Sequence, residues 1–119
     1  MKRMKVFVFF AGVMSFAASV AGAAAPPQKG GAAARVERGR EVYAERCARC
    51  HGADGQGRTR MGETVEAPDL SDPDWQRARS DARLLASVAN GRGSMPPFKR
   101  KLSRQDIAAS VAYVRTLRR

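Results

Sequence analysis

The chain has 119 residues and carries 22 Lys and Arg against 11 Asp and Glu, a formal net charge of +11. That length suits one folded domain and excludes a repeat array or a large catalytic scaffold. The 44% hydrophobic content is ordinary for a globular protein, but four of the five Phe (Phe7, Phe9, Phe10 and Phe16) lie near the N-terminus.

Residues 1–23 read as a secretory signal peptide. Lys2, Arg3 and Lys5 precede an uncharged apolar stretch from Val6 to about Val20, and Ala21-Gly22-Ala23 supplies a small-x-small cleavage pattern. An uncleaved anchor is the competing reading, because the 20 uncharged residues from Val6 to Ala25 reach the minimum for a spanning helix. Export implies the periplasm, where paired cysteines oxidise unless engaged. Residues 24–35 (AAPPQKGGAAAR) hold almost no apolar bulk and read as a flexible tether. The folded domain is expected over 36–119.

Val36, Gly39, Val42, Tyr43, Cys47 and Cys50 recur at three- and four-residue steps, which predicts a helix with one apolar stripe running into the cysteines. Gly39 weakens that helix, so close packing by a second helix is its expected reason. Cys47 and Cys50 are the only cysteines, and His51, the only histidine, follows at once. Cys-Ala-Arg-Cys-His is the attachment pattern of c-type haem. The thiols add to two vinyl groups on one porphyrin edge, and the next residue presents a neutral imidazole to the iron. A disulfide between cysteines so close would close only a tiny loop. A thioredoxin-like pair needs a βαβ context that the sequence lacks, and a zinc site needs further Cys or His.

Gly52-Ala-Asp-Gly-Gln-Gly57 predicts turns; with no strand before it, phosphate binding is discounted. Residues 58–75 read as an irregular loop wrapping the haem, with a short helix within 69–78. Trp75, the single Trp, is a candidate for contact with the haem or a propionate, against the alternative that it buries its ring. Ser80 caps a helix whose buried face is Leu84, Leu85 and Val88, and Asn90-Gly91 ends it. Ser103-Arg-Gln-Asp106 opens the last helix as a capping box, followed by Ile107, Val111, Val114 and Leu117. This helix is expected to cross the first near Gly39. No strand pattern is present, so the fold class is all-α.

Outside the export segment only Met61 and Met95 could supply a thioether to the iron. Both reach by chain length. Met61 has polar neighbours; Met95 is followed by Pro96 and Pro97, which restrict the loop.

From Gly39 onward the sequence resembles the class I monohaem cytochromes c of the small bacterial kind. The resemblance implies three main helices and loops around one covalent haem c, with thioether bonds to Cys47 and Cys50. It matches Gly39 and Tyr43 to the family's N-terminal helix and Met95 to the sixth ligand opposite His51. It matches Pro68 to the proline whose carbonyl takes the ring N–H of that histidine. A His/Met iron has no open position, so the expected role is carriage of single electrons, not catalysis. The implied partners are quinol-oxidising complexes, periplasmic dehydrogenases, and terminal oxidases or reductases. A haem enzyme or gas sensor with a displaceable Met95, and a dedicated haem subunit of a larger oxidoreductase, are the alternatives.

The 18 large apolar or aromatic side chains in 36–119 make a modest core, which a haem would complete. Charge is also segregated. Residues 92–119 carry eight basic side chains against Asp106 alone, while 36–91 are close to neutral. Arg92, Lys99, Arg100 and Lys101 are therefore expected to steer an acidic redox partner onto the haem edge. Anionic lipid is a secondary contact; nucleic acid is not an expected partner.

Overall fold

The computed structural model describes residues 31–119, and the expectations for the export signal and for tether residues 24–30 lie outside that range. Six helices follow in order: α1 Gly31–Arg46, α2 Ala48–His51, α3 Arg60–Thr64, α4 Pro73–Arg77, α5 Asp81–Asn90 and α6 Arg104–Thr116. Among the described residues there is no strand, only an isolated bridge between Arg92 and Met95. The fold is all-α, with three longer helices, α1, α5 and α6, and three short ones on the connections. No helix among the described residues is long and apolar enough to cross a membrane.

Two boundaries differ from the sequence reading. Residues 31–35, expected in the tether, are helical and exposed within α1. Ala32, Ala33 and Ala34 explain this, because alanine has the highest helix propensity. The stretch 58–75 also holds a helix that was not expected, α3, whereas α4 falls within the short helix expected in 69–78. Thr59 caps α3, its hydroxyl accepting from Gly62 N–H, and Asp72 caps α4, with Pro73 at the first helical position.

Helices α1 and α6 form the main packing pair. Val42 and Tyr43 on α1 are buried, as are Ile107, Ala109 and Val111 on α6. Gly39 is the point of closest approach. A Cβ there would lie 1.9 Å from the Ala109 carbonyl oxygen and 2.9 Å from the Tyr113 Cβ. One turn further on, the Tyr43 and Tyr113 rings meet at 5.2 Å with a 56° tilt, an ordinary aromatic pairing. At the rim, Arg38 donates to Asp106 (2.7 Å) and Glu41 (3.0 Å). These exposed pairs stabilise little; the close crossing and its buried side chains carry the contact.

Helix α4 is tied to α6 by polar groups. The Gln76 amide, 4% exposed, donates to the Leu70 and Val114 carbonyls at 2.8 Å each. Arg115 donates to Asp81 (2.8 Å) and to the carbonyls of Gln76 (2.9 Å) and Arg79 (2.6 Å). One guanidinium thus satisfies carbonyls left over at the end of α4 and links them to the start of α5.

Replacing Gly39 by Ala should cost the loaded protein about 1–3 kcal/mol through overpacking against Ala109. Denaturant titration checks this; an unchanged midpoint would mean that the crossing is not sterically tight.

Candidate haem-attachment site

The end of α1 builds the site. Cys47 N–H donates to the Tyr43 carbonyl at 2.9 Å, continuing the helix by one bond. The helix then breaks at Cys47 (φ −115°, ψ −38°) and restarts as the single turn α2. The predicted stripe therefore does not run straight through the cysteines. The Cys47 carbonyl accepts from Cys50 N–H at 3.1 Å and from His51 N–H at 3.0 Å. Cys47, Cys50 and His51 thus share one turn, at i, i+3 and i+4. Gly52, at φ +79°, ends it in a conformation that suits glycine. The Tyr43 hydroxyl donates to the Gly52 carbonyl at 2.7 Å from a side chain only 2% exposed, which locks the turn to α1.

Cys47 and Cys50 are half-buried free thiols, so the disulfide alternative is not realised. No cluster of three or more metal-ligating side chains exists among the described residues, which leaves no support for a zinc site. Burial, reinforced by Cys50, pushes the Cys47 thiol up to about 11. It is therefore protonated at neutral pH and a slow nucleophile. Burial holds the His51 imidazole below its ordinary pKa, partly opposed by the Pro68 carbonyl. The ring is neutral at pH 7 and keeps a lone pair for a metal. His51 Nδ1 is buried without a hydrogen-bond partner. The Pro68 carbonyl is near enough to raise the imidazole pKa but outside full hydrogen-bond geometry. Two free thiols on one turn, a neutral imidazole beside them, and a buried ring nitrogen awaiting an acceptor form a donor set that fits c-type haem.

Met95 comes from the far end of α5. Gly91 (φ +76°) caps that helix, and a Cβ there would lie 2.6 Å from the Met95 carbonyl oxygen. Arg92 and Met95 exchange backbone hydrogen bonds at 3.0 and 2.9 Å across Gly93-Ser94. Phe98 N–H and Lys99 N–H then donate to the Val88 and Ala89 carbonyls at 3.0 and 3.1 Å. The loop is thereby pinned at both ends, and buried Phe98 anchors it. Met61 lies on α3, half-buried in an open groove with Arg49, Thr59, Arg60 and Thr64.

Trp75 is half-buried on α4, with the Arg79 guanidinium 4.4 Å above its ring. Arg92, Lys99, Arg100 and Lys101 are all exposed, and none forms an ion pair among the described residues. Pro96 and Pro97 line a shallow groove with Lys99, Arg100 and Lys101. The sequence reading missed Thr59, whose hydroxyl lies 2.8 Å from the Arg49 carbonyl and 3.1 Å from the Cys50 carbonyl. A Thr two residues before Met61 is a recognisable N-cap, and that signal could have revealed α3.

Described residues that form only helices and loops, with this turn at the end of α1, have the fold of a monohaem c-type cytochrome. Residues 34–114 match the family described as cytochrome C oxidase, cbb3-type, subunit III, and the chain belongs to that family. It is 38% identical over 86 residues to the cbb3-type cytochrome c oxidase subunit CcoP of Azospirillum brasilense, covering 71% of this chain and 29% of that one. It is 36% identical over 93 residues to the subunit FixP of Bradyrhizobium diazoefficiens, covering 77% and 30%. The chain thus spans less than a third of the length of these relatives. Among solved structures, the KustC0563 c-type cytochrome superposes with a TM-score of 0.65 at 35% identity, covering 68% of this chain and 98% of that one. Cytochrome cL from Hyphomicrobium denitrificans gives 0.61 at 25% identity, covering 74% and 50%.

Proposed function

We propose that this chain is a periplasmic electron carrier holding one haem c, with thioether bonds to Cys47 and Cys50 and with His51 and Met95 as axial ligands. The observation that carries this reading is the turn on which Cys47, Cys50 and His51 share the Cys47 carbonyl as their organising acceptor. When bound, such a haem supplies a one-electron couple, and Met ligation raises its potential relative to other axial choices. The chain's contribution is placement. Tyr43 and the end of α1 fix the turn, Pro68 sets an acceptor against His51, and the pinned loop holds the Met95 thioether with little left to lose in freedom. Trp75 belongs to the haem surroundings in this reading, with Arg79 stacked on one face. The periplasmic location rests on the Lys2–Ala23 pattern and on the chemistry of the attachment motif.

A second reading is favoured by one observation: the curated relatives are subunits of cbb3-type oxidases. The chain would then be the haem module of a larger oxidoreductase, not a free carrier. Co-purification from native membranes separates the two. Stoichiometric recovery with a larger enzyme supports the subunit, and recovery alone in the soluble periplasmic fraction supports the carrier.

The docking surface in this proposal is the face bearing Arg92, Lys99, Arg100 and Lys101. These four cations lie close together on and after the Met95 loop and form no ion pair among the described residues. An acidic redox protein suits it, with the Pro96-Pro97 groove as an apolar centre inside a cationic rim.

Two outcomes test the proposal. Met95→Ala should abolish the long-wavelength Met–iron charge-transfer band of the oxidised protein and allow rapid carbon monoxide binding when reduced, whereas Met61→Ala should do neither; reversal of the two would overturn the ligand assignment. Second, neutralising Lys99, Arg100 and Lys101 together should slow electron transfer to an acidic partner by about tenfold or more at low salt and by far less at high salt. A rate indifferent to both substitution and ionic strength would remove the steering role.

A further inference from the structure

The segment that carries Pro68 is held against the attachment turn by a set of close backbone contacts. Gly57 N–H donates to the His51 carbonyl at 2.7 Å. Gly57 has φ +70°, and a Cβ on it would lie 2.5 Å from the Ala67 carbonyl oxygen and 3.3 Å from the Ala67 carbonyl carbon. The residue bonded to His51 therefore also touches the residue before Pro68. On the other side, the Thr59 hydroxyl faces the carbonyls of Arg49 (2.8 Å) and Cys50 (3.1 Å), and accepts from Gly62 N–H at 2.8 Å. Gly62 is pressed equally tightly: its Cβ would lie 2.2 Å from the carbonyl oxygens of both Cys50 and Gly57. The Gly62 carbonyl in turn accepts from Ala67 N–H at 2.8 Å. Leu70 N–H closes the far end by donating to the Gly55 carbonyl at 2.7 Å.

The result is a frame running from Cys50 and His51 through Gly57, Thr59 and Gly62 to Ala67-Pro68. Nothing in it is a long side chain, so little can absorb a displacement except the backbone itself. At its end lies Pro68, whose carbonyl is close enough to act on the His51 imidazole, and the Nδ1 of that ring is buried without a partner.

We infer that Gly57 and Thr59 are positioning residues for the proximal ligand: they fix Ala67-Pro68 against the attachment turn and thereby set how strongly the Pro68 carbonyl accepts from His51 Nδ1–H. This rests on the reading of His51 as the axial ligand. A firm acceptor at Nδ1 makes the imidazole a stronger donor at its other nitrogen. Such a ligand favours the ferric over the ferrous state. Loosening the frame should move the balance toward ferrous.

The test uses the haem-loaded protein, poised at one fixed ambient potential near the wild-type midpoint. Thr59→Val keeps the shape and removes the hydroxyl; Thr59→Ser restores it. Gly57→Ala forces Ala67 away from the turn. Thr59→Val and Gly57→Ala should each raise the ferrous-to-ferric ratio roughly two- to tenfold, the range set by gain or loss of one hydrogen bond of ordinary worth. Thr59→Ser should return it to the wild-type value. Ser103→Ala, which removes the cap of α6 and touches no residue of this frame, serves as the control for a merely structural effect. Should Gly57→Ala fail to fold, Thr59→Val with its Ser rescue decides alone. A wild-type ratio in Thr59→Val, or an equal shift in Ser103→Ala, overturns the inference. A wild-type oxidised spectrum that is not low-spin fails the underlying ligand assignment instead, and is seen before any variant is made.

Discussion

The missing side chain at Gly39 is the constraint on which the remaining geometry depends. It lets the Ala109 carbonyl of α6 occupy space that any other residue would fill. Once the two helices touch there, Tyr43 meets Tyr113 one turn later, and its hydroxyl falls on the Gly52 carbonyl. The crossing point thus sets the position of the turn that carries Cys47, Cys50 and His51. The contact is made of backbone and short side chains, so it tolerates little adjustment. The glycine costs helix stability, and that cost is offset by a contact that two larger residues could not make.

Polar groups do an unusual share of the remaining work, as expected where large apolar side chains are few. Gln76 and Arg115 join α4, α5 and α6 through carbonyls that the helix ends leave free. Thr59, Asp72, Ser80 and Ser103 each cap a helix. Among the surface charges, Arg38 and Arg40 on α1 and Arg77 on α4 are each paired with an acid three residues away and contribute locally. Those on the Met95 loop have no such partners among the described residues.

Much of this was legible in the sequence where the signal is local. The caps at Ser80 and Ser103, the end of α5 at Asn90-Gly91, the crossing at Gly39 and the Cys47–His51 turn all follow from residue type and short spacing. The all-α class and the family follow from the same residues. What was not legible depends on contacts distant in sequence. The break at Cys47, the helical state of residues 31–35 and the short helix α3 escaped periodicity. The role of Gly57 depends on Ala67, ten positions away, and nothing in Gly-Gln-Gly announces that neighbour. The same holds for Arg115, whose three acceptors lie 34 to 39 residues earlier; on a helical wheel it is only one more surface cation.

The state of Cys47 has a bearing on time as well as on place. Before any bond is made to it, the packed Cys47 thiol is half hidden and held protonated, pushed by burial to about 11 from an ordinary value of 9.0. The fraction present as thiolate at neutral pH is therefore roughly a hundredfold smaller in the packed chain than in an open one. The packing that steadies the attachment turn thus also keeps an unmodified sulfur there slow to react.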